Sequence, residues 1–247
     1  MPSDSNLASG FYLMGPVKTR RAFAALAIAL SVSATAWAPR NLAVAPVADR
    51  LSNGENLKIV VYGTSLSAKG AWVNQVQEDL QTRFPGTCEI INTSECGKNS
   101  DWGLANLDER VLRLKPDVVV FEFAINDAVA KFHCPVERAE SNLRKMVDQV
   151  LDQNPRTQIL VQTTNPVFDR PASNSGYRPK LADYYQMVRR VAKERRLTLI
   201  DQERCWNALL AQGHKQFRRL VPDGLHPNKQ GDIEVVTPVI LAAFGAL

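Results

Sequence analysis

The chain has 247 residues, a length that suits one domain with a sizeable core and is too short for two full-sized domains. Its formal charge is +5. Residues 1–36 hold three basic side chains and one acidic side chain, a net +2, so the remainder is near +3. That charge is spread without a basic stripe, which argues against a nucleic acid as partner.

The first 36 residues are typical of an export signal. A basic region precedes an apolar run over 22–30, and small residues with an A-x-A cleavage pattern follow at 34–36. The run is short for a membrane-spanning helix, so a removed signal peptide is favoured over an uncleaved anchor. The pair Arg20-Arg21 also resembles a twin-arginine signal, and translation could start at Met1 or Met14. We expect a periplasmic or secreted protein with no stable membrane insertion once processed, and a linker over 37–56.

Four cysteines leave their pairing open. Cys88, Cys96, Cys134 and Cys205 contain no C-x-x-C pair, so we predict no metal site. In an exported protein they could form two disulfides in any of three pairings. We favour Cys88 with Cys96 and Cys134 with Cys205, and four free thiols are the alternative.

From residue 57 onward, apolar runs alternate with helical patterns. The predicted strands are Leu57–Tyr62, Glu89–Asn92, Val118–Phe123, Gln158–Thr163 and Thr198–Ile200. The predicted helices are Trp72–Phe84, Leu104–Leu114, Val136–Gln153, Pro179–Arg195 and a last one near 229–244, where Pro238 marks a kink or a start. This alternation predicts an α/β fold with a parallel sheet covered on both faces.

The first strand ends in Gly63-Thr-Ser-Leu66. Gly63 permits a sharp turn, so Ser65 is expected at the carboxyl edge of the sheet, where open α/β sheets bind ligands. A phosphate-binding or purely structural turn is the alternative. Gly70 is followed by Ala71, which departs from a Walker loop, and Ser67 stands where a nucleophile elbow needs glycine.

A carboxylate and an imidazole lie three residues apart near the end of the chain. A serine nucleophile needs a base and a group that orients the base. In Asp223-Gly-Leu-His226, the imidazole of His226 can act as the base and Asp223 can hold its other ring nitrogen. The other two histidines, His133 and His214, have no acid at such a spacing, which favours surface or structural roles for them.

Acyl transfer also needs donors for the oxygen that becomes negative. The third strand runs into Ala124-Ile-Asn-Asp127, which sets Asn126 at the same edge as Ser65. Gly97 follows the second strand, where its backbone N–H is unobstructed by a side chain. Taken singly, Asn126 is as typical of a cap and Gly97 of a bend, but together they match an oxyanion hole.

These residues, in this order, resemble the SGNH (GDSL-type) hydrolase family over essentially all of 57–247. The resemblance implies a three-layer, flavodoxin-like sandwich with a parallel sheet of about five strands, and no metal or cofactor. It assigns Ser65 as nucleophile, His226 as base and Asp223 as its partner, with Ser65, Gly97 and Asn126 as the oxyanion hole. Two positions depart from the family pattern: Thr64 replaces Asp and Ala124 replaces Gly. We expect altered packing near the site from both.

The expected substrate is an acyl ester on a small molecule or a polysaccharide. Trp72, Trp102 and Trp206 follow strands and are predicted to line one rim, where aromatic faces suit sugars, although core packing is the alternative. The long loop 165–178 is typical of a binding loop, and its Arg170, Tyr177 and Arg178 are predicted to contact hydroxyls or a uronate. Family members outside the cell often deacetylate polysaccharides, so the resemblance favours a carbohydrate O-acetylesterase.

The sequence leaves three alternatives open. One is a general short-chain esterase or lysophospholipase-like acyl hydrolase. Another is a binding protein on the same fold without turnover, because fold does not determine function. A third is acyl transfer to another sugar instead of water.

Overall fold

Five parallel strands form the centre of the fold. The computed structural model describes residues 45–168 and 170–247, so the predicted export signal lies outside the described residues. Strands β1 to β5 span Leu57–Gly63, Cys88–Asn92, Val118–Glu122, Gln158–Thr163 and Thr198–Asp201. They pair in the order β2-β1-β3-β4-β5, and every pair is parallel. The predicted α/β architecture is therefore confirmed, and its order reverses between β1 and β3, where such sheets leave a crevice.

Helices cover both faces of this sheet. Helices α1 to α6 span Val47–Ser52, Ser65–Ala68, Trp72–Arg83, Ser100–Ala105, Leu107–Arg110 and Ala124–Asp127. Helices α7 to α12 span Val136–Gln153, Leu181–Arg195, Gln202–Ala211, His214–Leu220, Lys229–Gly231 and Thr237–Ala243. Short 3₁₀ turns occur at Leu112–Leu114 and Ala130–Phe132, and Asp232–Val236 is π-helical. Among the described residues, no helix combines the length and apolarity needed to cross a membrane.

Two hydrophobic cores lie on opposite faces of the sheet. Because successive side chains of a strand alternate, Ile59 and Val61 of β1 join one core while Val60 and Tyr62 join the other. The first core is completed by α1, α3, α9, α10 and α12, and the second by α5, α7 and α8. Both faces of the central strands are thus buried, as their unbroken apolar runs predict.

Three predicted segments differ from the structure. The predicted helix over 104–114 is interrupted at Asn106, whose Nδ2 donates to the Trp102 carbonyl oxygen (2.8 Å) and so competes with the helical backbone. The predicted linker contains α1, whose Val47 and Leu51 are buried. The segment 201–220, for which we predicted no helix, forms α9 and α10.

The favoured disulfide pairing is wrong: all four cysteines are free thiols. Cys134 lies in the core on one face of the sheet, whereas Cys205 packs against the core on the other face. Cys88 begins β2 and Cys96 follows its end, and a five-residue strand rises about 13 Å or more. The separation of Cys134 from Cys205 and that of Cys88 from Cys96 both exceed the ~7 Å between Cα atoms that a disulfide spans.

Candidate active site

Ser65 is the first residue of α2 and lies in the tight turn that leads out of β1. Thr64 is the N-cap of α2, and its side chain accepts a hydrogen bond from the Leu66 N–H (3.3 Å). This turn places Ser65 Oγ 2.9 Å from His226 Nε2, across 161 residues of chain. The parallel sheet thus brings together an alcohol and an imidazole from opposite ends of the domain.

Asp223 orients the imidazole of His226 within one short turn. Its Oδ2 lies 2.7 Å from His226 Nδ1, while its Oδ1 accepts from the backbone N–H groups of Leu225 (2.9 Å) and His226 (2.7 Å). Partial burial raises the pKa of Asp223, but the hydrogen bonds from the His226 ring and from these N–H groups outweigh it and lower the pKa to about 2. Asp223 is therefore ionised at neutral pH, and it favours the tautomer that leaves Nε2 free to accept the serine proton.

The long loop 165–178 packs against this turn. Asn165 Nδ2 donates to the Leu225 carbonyl oxygen (2.8 Å), and Arg170 Nη2 donates to the Asp223 carbonyl oxygen (2.8 Å). Gly224 has a φ of +75°, and a Cβ at this position would lie 2.3 Å from the Phe168 carbonyl oxygen. The close approach of the loop therefore requires glycine between Asp223 and His226.

Asn126 and Gly97 line the same cavity as Ser65. Asn126, in α6, donates from Nδ2 to the Lys98 carbonyl oxygen (2.8 Å) and accepts at Oδ1 from Arg178 Nη2 (3.0 Å). Because Arg178 can only donate and the Lys98 carbonyl can only accept, these two partners determine which atom of the Asn126 amide is Oδ1 and which is Nδ2. Gly97 has a φ of +72°, and no described atom lies within 4 Å of a Cβ built there.

Arg178 reaches this site from the end of the long loop. Besides its bond to Asn126, it donates from Nε to the Ile125 carbonyl oxygen (2.6 Å) and from Nη1 to that of Gly176 (2.6 Å). Burial lowers its pKa to about 10. Within the described ranges, no carboxylate lies at ion-pair distance from Arg178. A half-buried cation thus supports the side-chain amide of Asn126.

A cavity of about 530 Å³ joins these groups. Its lining includes Ser65, Gly97, Asn126, Arg178 and His226, together with Lys69, Lys131 and Asp232. The lysines are exposed, whereas Asp232 is buried and accepts from the Ala71 N–H (2.7 Å). The lining therefore carries more cationic than anionic side chains, and apolar side chains such as Val129 and Phe132 also contribute to it. Among the described residues, no cluster of metal-ligating side chains is present.

Comparison with known proteins identifies the family. The model of the GDSL-like Lipase/Acylhydrolase family matches residues 59–232, which is more than half of the chain. The chain belongs to this family. It is accordingly a carboxylic ester hydrolase, and the predicted family and reaction class are confirmed.

One sequence relative and two solved structures are similar to this GDSL-family hydrolase. An arylesterase of Vibrio mimicus is 28% identical over 138 residues, covering 53% of this chain and 68% of that protein. The alpha/beta hydrolase LAE5 from the Lake Arreo metagenome has a TM-score of 0.66 at 23% identity, covering 78% of this chain and 97% of its own. Axe2, an acetylxylan esterase of Geobacillus stearothermophilus, has a TM-score of 0.65 at 21% identity, covering 77% and 95%. These structural likenesses show the shared fold.

The predicted aromatic rim of this GDSL-family hydrolase is wrong. Trp72 is 2% exposed and donates from Nε1 to the Leu66 carbonyl oxygen (3.0 Å), and Trp206 is fully buried against Phe217. Both follow strands, but their helices turn them towards the first core. Trp102 packs beside Tyr62 on the opposite core, with the guanidinium of Arg110 over its ring.

The three loop residues predicted to contact substrate lie in different places. Arg170 lies behind the His226 turn, on the Asp223 carbonyl oxygen, and Tyr177 uses its own carbonyl oxygen to accept from the Ala130 N–H (2.9 Å). Only Arg178 of the three belongs to the cavity lining as the structure describes it.

Sequence reasoning missed Lys69 and Lys131 in the cavity wall and Glu122 beneath the serine turn. Exposed lysines carry no local signal that distinguishes them from other surface lysines. Glu122 did carry a signal, because it is an acid in a strand that is otherwise apolar and buried on both faces.

Proposed function

We propose that this ester hydrolase removes O-acyl groups, chiefly O-acetyl groups of carbohydrates, through a Ser65-His226-Asp223 triad and an acyl-enzyme intermediate. One observation carries the proposal: Ser65 Oγ lies 2.9 Å from His226 Nε2, whose Nδ1 lies 2.7 Å from Asp223 Oδ2. These distances suit proton transfer from the alcohol to the imidazole.

In the first half of the proposed reaction, His226 Nε2 takes the Ser65 proton while Oγ attacks the ester carbonyl carbon. The negative charge on the carbonyl oxygen is met by the Ser65 and Gly97 N–H groups and by Asn126 Nδ2. The tetrahedral intermediate collapses, the C–O bond to the alcohol breaks, and the alcohol leaves with the proton from His226. Ser65 is then acylated.

In the second half, water attacks the acyl-enzyme. His226 accepts a proton from the water, the same donors stabilise the second oxyanion, and the carboxylic acid leaves as Ser65 regains its proton. Asp223 remains ionised throughout and stabilises the imidazolium. Transfer to a sugar hydroxyl instead of water uses the same steps, and product analysis with an added acceptor alcohol distinguishes the two outcomes.

The nature of the cavity supports a short acyl group on a polar alcohol. Its lining carries Lys69, Lys131 and Arg178, which favours a hydrated, oxygen-rich substrate over a long alkyl chain. The similarity in fold to an acetylxylan esterase adds weight to carbohydrate. A general short-chain esterase is the second candidate, favoured by the similarity to an arylesterase.

An ester panel tests the proposal. We expect acetyl nitrophenyl ester to exceed the octanoyl ester in kcat/KM and acetate to be released from acetylated xylan. Ser65→Ala should lower kcat by about 10⁴-fold or more, while Ser52→Ala, on α1, should match the parent enzyme. A preference for octanoate would favour a lysophospholipase-like activity, and failure of a fluorophosphonate to label Ser65 would favour a binding protein.

We also propose that residues 1–36 direct export and are then removed. The composition of that segment supports this proposal. Expression of the full chain, followed by N-terminal sequencing of protein from the periplasm and the medium, provides the test. A product that stays inside the cell with its first residues intact would contradict it.

A further inference from the structure

An acidic side chain is buried beneath the turn that carries Ser65. Glu122 ends β3, pairs with Gly63 of β1 in the strand register and is 1% exposed. A Cβ added at Gly63 would lie 2.6 Å from the Glu122 carbonyl oxygen and 2.9 Å from its Oε2. Gly63 therefore leaves the space through which this carboxylate reaches the turn.

Within the part of the chain that the structure describes, the hydrogen bonds to this carboxylate all come from the segment 64–67. Oε2 accepts from the Thr64 N–H (3.0 Å), from Thr64 Oγ1 (2.8 Å) and from Ser67 Oγ (3.2 Å), and Oε1 accepts from Thr64 Oγ1 (3.0 Å). The donors lie on both sides of Ser65 in the chain. One acceptor thus fixes both ends of the turn.

Keeping a carboxylic acid in this place costs stability. Burial raises the pKa of Glu122 to about 7, the hydrogen bonds from Thr64 and Ser67 oppose that rise, and nearby Asp127 adds to it. Arg178 and Tyr185 are the other titratable groups whose charge acts on Glu122. An apolar or amide side chain would fill the space without a buried charge, so packing alone does not account for this residue.

We propose that Glu122 is a positioning residue for the nucleophile, holding Thr64 and Ser67 so that Ser65 Oγ meets His226 Nε2. The inference rests on the proposed role of Ser65. The family pattern has Asp at position 64, directly before the serine, where this chain has Thr64. In this chain the acid that contacts the turn comes from the neighbouring strand.

Exchanging the position of the acid tests this directly. Glu122→Ala should lower kcat by about 10- to 100-fold with KM changed less than threefold, because small displacements of a nucleophile affect the chemical step. Glu122→Gln keeps one acceptor oxygen and should lose less. Thr64→Asp should also lower kcat, since two acids would share one buried site. Thr64→Asp combined with Glu122→Gln should recover at least about tenfold over Thr64→Asp alone, as expected for directly coupled sites.

Folding and chemistry are separated by measuring each variant in the same preparation. Thermal unfolding gives the folded fraction, and the rate of fluorophosphonate labelling reports the reactivity of Ser65 alone. Glu203→Gln, which removes a half-buried acid of α9 that pairs with Arg189 (2.6 Å) and forms no hydrogen bond or ion pair with residues 64–67 in the described part of the chain, should lower stability without changing kcat.

The inference would be overturned if Glu122→Ala kept kcat and labelling rate within twofold. It would also be overturned if the double variant were no better than Thr64→Asp, or if all losses matched the folded fraction. Full turnover by Ser65→Ala would instead remove the proposed function, so the two failures are distinguishable.

Discussion

Replacement of Arg178 provides a strong test of how the proposed oxyanion donors are held. Arg178→Gln removes the charged hydrogen bond from Nη2 to Asn126 Oδ1, 3.0 Å long in the structure. A hydrogen bond to a charged group contributes about 1.5–3 kcal/mol. Since Asn126 Nδ2 is proposed to contact an oxygen that is negative only in the transition state, the loss should fall on kcat.

The magnitude follows from the same geometry. Removing an oxyanion donor outright lowers turnover by about 10²–10³-fold. Arg178 acts through that donor and leaves the bond from Nδ2 to the Lys98 carbonyl oxygen intact, so we expect kcat to fall about 10- to 100-fold, with KM within threefold. Asn126→Ala should fall further, and adding Arg178→Gln to it should cost less than about threefold more, because the cation would have lost the amide it supports.

Steady-state kinetics on acetyl nitrophenyl ester measure these effects. Arg190→Gln, which removes an exposed ion pair with Glu140, is the matched control and should leave both constants unchanged. Equal losses from Arg178→Gln in the presence and absence of Asn126 would refute the reasoning, as would a change in KM alone.

Three further outcomes are expected. Burial raises the pKa of Glu122 and of Asp127 to about 7 in the folded state. The folded protein therefore binds protons at these groups more tightly than the unfolded chain does, and the resulting stability, present at pH 4, is lost as pH rises through 7. The Tm should fall by roughly 5–10 °C from pH 5 to pH 8, and Glu122→Gln should reduce that fall; a Tm that rises over this range would contradict the assignment. Gly224→Ala should lower Tm and kcat together because its Cβ would clash with the Phe168 carbonyl oxygen. Unchanged kinetics would show that the loop moves enough to accommodate the added methyl group. Lys131→Gln should raise KM about two- to fivefold for an acetylated uronate glycan and should raise it less for the methyl-esterified form of that glycan. High salt should reduce the difference between the two substrates.

Three of the motif residues were predictable because each follows a strand and the sheet is parallel. Ser65, Gly97 and Asn126 follow β1, β2 and β3, which are adjacent, so their carboxyl ends meet at one edge. Asp223 and His226 lie three residues apart, so a single turn brings them into contact. Local pattern and topology together were sufficient for these positions to be placed near one another.

The direction in which the tryptophan side chains point could not be predicted from the sequence. Trp206 follows β5 and Trp102 follows β2, yet Trp206 is fully buried in the first core and Trp102 packs against the second. The difference depends on where α9 begins, at Gln202, and a shift of two residues would turn the side chain by about 200°. Helix boundaries of that accuracy depend on tertiary packing.

The supporting groups of the site were missed for a related reason. Glu122 and Arg178 act on residues 58 and 52 positions away, so no local spacing links them to Thr64 or to Asn126. What does mark Glu122 is the contrast with its own strand, since an acid among Val118, Val119, Val120 and Phe121 must be either neutral, paired or held by donors. An acid in a strand that is buried on both faces, at the edge where the proposed nucleophile lies, is therefore a signal from which a candidate positioning group can be predicted. The loop arginine has no equivalent sign, because its burial depends on how the loop packs over α6.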